Sequence, residues 1–329
     1  MKLPEKVILR EVVVRDGIQP EEFFLPTQTK VYLINQLADI GFRYIEVTSF
    51  VHPLYVPQFK DAEEVLKQIK RKEGVSYNVL TLNEKALDRV LNTVEQGFGP
   101  DMVLYALATS EAYNKRNVGK TSPEMWEEVK RIVKRAHEAG LKVIGTISTV
   151  FGCPLTGFIP PEKGIEFAER FLELDVDELN IADTTGEGTP REVYEFFCRL
   201  LERKPEVSIS AHFHEPRGWG LANVFAALQA GVEFFDVSMG GIGGQPATIV
   251  DRVPVRGTGP KYLPTPFTGN VRGEDLVVML EGMGIETGID VEKYLELGRM
   301  LEKILGRQLK SFSTKAGRIT KITKKFEEV

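Results

Sequence analysis

At 329 residues and 42% hydrophobic content the chain can bury a large core, which excludes a disordered protein. A formal net charge of −5 gives no basic field for a polyanion, so no nucleic-acid partner is expected. No apolar run approaches a bilayer span, the N-terminal MKLPEKVILREV carries too many charges for a signal peptide, and Cys153 and Cys198 form no secreted disulfide framework; a cytoplasmic protein off the membrane is expected.

Along the chain, short β-rich runs alternate with longer runs of helical period. Strand patterns fall at 6–16, 43–50, 75–83, 102–110, 142–152, 178–186, 207–215 and 233–244. Helical patterns follow them at 29–41, 61–74, 84–97, 122–140, 161–175, 189–204, 220–231 and 274–284. Cap signals agree, as in TSPEM at the start and HEAG at the end of the fourth helix. Eight βα units without a linker predict an α/β fold, a (β/α)8 TIM barrel with additional C-terminal helices; a doubly wound sheet is the alternative. We expect the catalytic barrel to occupy residues 1–285, with 286–329 a helical extension and basic tail packed on it. The Pro- and Gly-rich stretch 246–270, between the eighth strand and its helix, has the length of a lid or binding loop.

A barrel places its chemistry at the C-terminal ends of its strands. There the pattern puts Arg15 and Asp16 (first strand), Glu46 (second), Asp183 (sixth) and His212 and His214 (seventh), with Asn270 in the long loop after the eighth. Residues i and i+2 of a strand share a face, so the HFH of 212–214 can present two imidazoles to one point. With the Asp16 carboxylate and an amide such as Asn270 they make a divalent-metal site, Mg2+ or Mn2+ before a closed zinc site, with Zn2+ and Co2+ also compatible with imidazole. Cys153 reads as a small buried hydrophobe, Cys198 as packing, His52 as a partly exposed loop residue and His137 as solvated.

The pieces VRDGIQ, IEVTSFV followed by VPQF, FGCP, ADTTG, HFH followed by GLAN, GGIGG, and GN followed by EDLVVMLEGMGI resemble hydroxymethylglutaryl-CoA lyase and related metal-dependent barrel lyases and synthases over about residues 7–295. The resemblance implies a lyase that cleaves a 3-hydroxyacyl-CoA to an acyl-CoA and a keto acid by retro-Claisen chemistry. It also implies an acyl-CoA as the small-molecule partner and a homodimer. Asp16, His212, His214 and Asn270 match the family's metal ligands. Arg15 matches the arginine that stabilises the enolate, Glu46 the carboxylate beside it, and Asp183 a polar residue near the reaction centre. Gln19, Ser49, Gly243, Gly244 and Gln245 are the expected substrate contacts. One departure stands out: where the lyases carry a proton-transfer cysteine after GxGG, this chain has Gln245, and an amide does not transfer protons at neutral pH. The alternatives are a condensing synthase of the isopropylmalate type and a catalytically altered metal-binding barrel.

Overall fold

The computed structural model describes residues 3–244 and 268–319, with the strand path of 248–250 and 253–255. Eight parallel strands close into a barrel in sequence order: β1 (Ile8–Glu11), β2 (Tyr44–Ser49), β3 (Ser76–Leu80), β4 (Met102–Ala108), β5 (Lys142–Ser148), β6 (Glu178–Asp183), β7 (Ser208–Phe213) and β8 (Phe234–Val237). Closure comes from β1 pairing with β8 from Ile8↔Phe234 to Glu11↔Val237. The (β/α)8 expectation therefore holds and the doubly wound sheet does not.

Outside the barrel lie α1 (Thr27–Ile40), α2 (Ala62–Gln68), α3 (Glu84–Glu95), α4 (Glu111–Val118), α5 (Ser122–Glu138), α6 (Pro161–Glu173), α7 (Pro190–Leu201), α8 (Gly220–Ala230), α9 (Gly273–Gly282), α10 (Val291–Leu305) and α11 (Ser313–Ala316). Helices α3, α5, α7 and α10 start where a side chain can hold the first free amides. Thr121 and Thr189 form capping boxes with Glu124 and Glu192 at the starts of α5 and α7. One continuous core of Val, Ile, Leu and Phe fills the space between strands and helices.

Two local features differ from the sequence pattern. The first strand stops at Glu11, and Val13–Gly17 form a single π-helical turn in which Val13 N donates to the Glu11 carboxylate at 2.9 Å. Arg15 and Asp16 thus sit on a wide turn rather than on a strand, and π turns of this kind are frequent at functional sites. The second feature is α4, which the hydrophobic period misses because EAYNKRNV has no continuous apolar stripe. Its ends carry cap signals all the same: Ser110 accepts from Tyr113 N, and Gly119 adopts the left-handed conformation.

Candidate metal and catalytic site

Strand alternation brings the two histidines to the C-terminal mouth, both nearly buried. Each ring is fixed by its outer nitrogen. His212 Nδ1 lies 3.0 Å from Asp236 Oδ2, and His214 Nδ1 lies 2.6 Å from the Thr184 carbonyl. Donating from Nδ1 leaves each Nε2 as a lone pair turned inward, and the two Nε2 atoms stand 2.9 Å apart.

Asp16 reaches the same point from the π turn. Its Oδ2 accepts from Asn270 Nδ2 at 2.5 Å and from Gly244 N at 3.1 Å, and lies 3.7 Å from His214 Nε2. Among the described residues, Asp16, His212 and His214 form a group whose ligand atoms all lie within 4.8 Å of one another. Asn270 arrives by a separate route. After the long loop the chain returns as a short bridge between β7 and β8: Glu215 N donates to Gly269 O at 2.7 Å, Val271 N to Phe213 O at 3.2 Å, and Ser238 N to Val271 O at 3.0 Å. That insertion sets Asn270 opposite His214 and leaves its Oδ1 buried with no hydrogen-bond partner.

The electrostatics follow from this packing. Burial alone would raise the Asp16 pKa, but Arg15, the two histidines and the Asn270 amide hold it well below the usual carboxylate range. Burial, reinforced by His212, lowers His214 to about 4, so its ring is neutral. Burial also opposes charge on His212, yet the Asp236 carboxylate outweighs it and raises the pKa.

Arg15 lies beside the cluster. Its Nη1 pairs with Asp16 Oδ1 at 2.9 Å and its Nε with Glu46 Oε1 at 2.8 Å. Burial would discharge this guanidinium, but the two carboxylates raise its pKa and keep it a fixed cation. Burial raises the Glu46 pKa despite Arg15. Gln19 Oε1 is 3.5 Å from Arg15 Nη1, and both residues line the pocket above the cluster. The far wall of that pocket is apolar, formed by Leu80, Leu82, Leu104 and Ala106, with Tyr113 and Asn117 of α4 also contributing.

Other expected residues lie outside the pocket. Asp183 pairs in register with Phe213, one position from the Ala182↔His212 pair, so it shares the face opposite the imidazoles. Its carboxylate accepts from Glu187 N at 3.0 Å and Gly188 N at 2.9 Å, and burial raises its pKa to about 7. Ser49 is fully buried and accepts from Val51 N at 3.2 Å. Gly243 packs its backbone on Asp16, where a Cβ would come within 2.4 Å of the Asp16 carbonyl, and its φ is +90°. Gly244 gives its N–H to the Asp16 carboxylate, so here the glycine loop holds a protein carboxylate. Gln245 lies outside the described residues. Cys153 is buried as expected, whereas His137 is not simply solvated: its Nε2 lies 3.0 Å from Asp177 Oδ2.

Sequence reasoning missed the charged interior beneath the site. Arg10 is wholly buried between the Tyr44 and Phe234 rings, with Nη2 2.5 Å from Glu178 and Nη1 3.4 Å from Asp236. Asn180 Nδ2 donates to Asp236 Oδ2 at 3.0 Å, which ties this network to His212. Polar residues at every second position of β6 and β7, Glu178 and Asn180 beside Ser210 and His212, were the available signal.

Residues 6–301 match the family model described as HMGL-like. The chain is 38% identical to hydroxymethylglutaryl-CoA lyase of Bacillus subtilis (strain 168), with 94% of this chain and 97% of that protein covered. It is 36% identical to the mitochondrial hydroxymethylglutaryl-CoA lyase of Homo sapiens, over 94% of this chain and 89% of the human protein. Its fold superimposes with a TM-score of 0.85 at 33% identity on an HMG-CoA lyase of Acinetobacter baumannii solved in complex with coenzyme A and 3-methylmalate, with 98% of each chain covered.

Proposed function

Because this chain belongs to the HMGL-like family, we propose that it cleaves 3-hydroxy-3-methylglutaryl-CoA to acetyl-CoA and acetoacetate. It is a carbon–carbon lyase acting on an acyl-CoA, and relatives 36–38% identical to it are lyases, which disfavours the condensing synthase. The observation that carries the reading is the meeting of Asp16, His212 and His214 beside the Arg15 guanidinium, with the Asn270 amide against Asp16.

These side chains fit a divalent cation. Two inward lone pairs 2.9 Å apart repel each other unless a proton or a cation lies between them, and the Asp16 carboxylate stands within reach of the same point. Asp16, His212, His214 and Asn270 would hold the ion, and when bound it supplies Lewis-acid polarisation of substrate oxygens. We propose Mg2+ or Mn2+ on the strength of the mixed oxygen and nitrogen donors, with Zn2+ and Co2+ as competitors.

The protein's own groups do the rest. Breaking the C2–C3 bond moves negative charge onto the thioester oxygen, and a guanidinium already fixed by two carboxylates stabilises it without reorganising. Glu46 stands behind Arg15 and orients it through a charge-assisted contact. Asp183 is a positioning residue: it holds the 184–188 turn, whose Thr184 carbonyl fixes His214. Gln19 offers a polar contact next to Arg15. Gly243 and Gly244 support Asp16 from behind.

Among the described residues no helix is long and apolar enough to cross a membrane. The proposed location is the cytoplasm, in line with the bacterial relative. The proposed assembly is a homodimer, for which exposed Tyr32 and Met300, 3.5 Å apart on α1 and α10, offer an apolar contact. The decisive experiment incubates metal-stripped protein with hydroxymethylglutaryl-CoA, adds Mg2+ or Mn2+, and follows acetoacetate. Metal binding without acetoacetate would overturn the lyase in favour of a binding barrel.

A further inference from the structure

We infer that the Tyr113 hydroxyl is the proton donor to the acyl carbon in this chain, an inference that rests on the lyase reaction proposed above. Cleavage leaves the departing acetyl-CoA as an enolate, and its C2 needs a proton. The sequence offers only the amide of Gln245 where a thiol would serve, and an amide is not an acid at neutral pH.

Tyr113 sits on the first turn of α4 and lines the pocket together with Arg15, Asp16, His212 and His214. It is 3% exposed, and its hydroxyl is buried without a hydrogen-bond partner. The ring packs with Ala108, Cys153 and Ile159, and the residue's backbone N–H is held by Ser110 Oγ at 3.3 Å. A buried hydroxyl that binds nothing is a cost that a phenylalanine would avoid, so its retention on a residue that lines the pocket calls for a partner outside the resting protein. Burial first, then the neighbouring Cys153 and Asp16, pushes the phenol pKa well above its ordinary value, which keeps the proton in place at neutral pH. Cys153 is the other proton carrier at this end, but its thiol is buried 3.0 Å from Ser110 Oγ and 3.4 Å from Leu155 N, and it does not line the pocket.

The step balances. The substrate hydroxyl loses its proton, the C2–C3 bond breaks, and its electron pair passes through the thioester enolate to C2. C2 then takes the proton from Tyr113 Oη. The proton lost by the substrate hydroxyl restores the phenol, so no outside acid is consumed.

The test compares the Mn2+-loaded wild type with Tyr113→Phe. Two readouts are used, hydroxymethylglutaryl-CoA cleavage and the enzyme-dependent exchange of acetyl-CoA methyl hydrogens with deuterium oxide. The variant removes one unpaired atom, so the melting temperature is expected to hold or rise and Mn2+ affinity to stay unchanged. We expect kcat to fall by about 100-fold or more with little change in KM, the range for loss of a general acid, and methyl exchange to fall in parallel. A drop in kcat smaller than roughly tenfold, or exchange at the wild-type rate, would overturn the inference. A wild type that leaves hydroxymethylglutaryl-CoA intact overturns the lyase reading and this inference with it, a result distinct from an active Tyr113→Phe enzyme.

Discussion

Asp236→Asn isolates the link between the barrel interior and the metal ligands. Asp236 Oδ2 takes the Nδ1 proton of His212 at 3.0 Å and an Asn180 amide proton at 3.0 Å, while Oδ1 faces Arg10 at 3.4 Å. An asparagine has one acceptor atom for these donors. If it serves His212, its NH2 is turned toward the Arg10 guanidinium; if it serves Arg10, the NH2 meets His212 Nδ1 and favours the tautomer with the proton on Nε2. Either way the inward lone pair is weakened, and loss of such a supporting partner typically costs 10–100-fold in metal affinity, about 1.4–2.7 kcal/mol. Arg10 keeps its 2.5 Å contact with Glu178, so the fold should lose only part of the ~3–5 kcal/mol typical of a broken buried pair. Mn2+ binding followed by electron paramagnetic resonance gives the affinity, and urea unfolding of the metal-free protein gives the stability. An unchanged Mn2+ affinity with a lowered stability would refute the argument, because Asp236 would then serve only the barrel interior.

Three further outcomes are expected. Arg15→Lys keeps a charge but not the fork that meets both Asp16 and Glu46, so kcat should fall by ~100–1,000-fold while Mn2+ affinity changes little; equal losses in both would point to a disrupted metal site. Burial raises Glu274 to about 8, from an ordinary value of 4.5, so the folded state holds this proton more tightly than the unfolded state does. Its contribution is therefore fully present below pH 4.5 and is lost as pH rises toward 8. Glu274→Gln can still accept from Gly240 N, and its melting temperature relative to wild type should climb between pH 6 and 9 by thermal scanning; a constant offset would count against the shift. Saturating Mn2+, at ~100 times its dissociation constant, should stabilise the wild type by about 2.7 kcal/mol. His214→Ala should abolish that gain, and a persisting metal-induced rise in melting temperature would place the ion elsewhere.

Much of the architecture was legible because its causes are local. The alternation of strand and helix periods marks the eight units, and the i, i+2 rule alone puts His212 and His214 on one face. Legibility failed where the local signal was weak or the phase ambiguous. The polar EAYNKRNV forms α4 through its caps, so its apolar period concealed the element that carries Tyr113. The strand pattern runs through Arg15 and Asp16, but the Glu11 carboxylate caps a π turn there. Asp183 reads as a strand-end acid whichever way it points. Only its register with Phe213 shows that it faces away from the imidazoles.

The sequence alone determined the repeating βα units and the shared face of the two imidazoles, because both arise from backbone geometry within a few residues. The tertiary structure decided which groups join them. Closure of β1 against β8 brings Asp16 to His214 across 198 positions, and the return of 269–271 between β7 and β8 delivers Asn270. The anchoring of His212 by Asp236 and the isolation of the Tyr113 hydroxyl were likewise settled there. Such pairings depend on strand register and loop path around a closed barrel, which hydrophobic period does not encode.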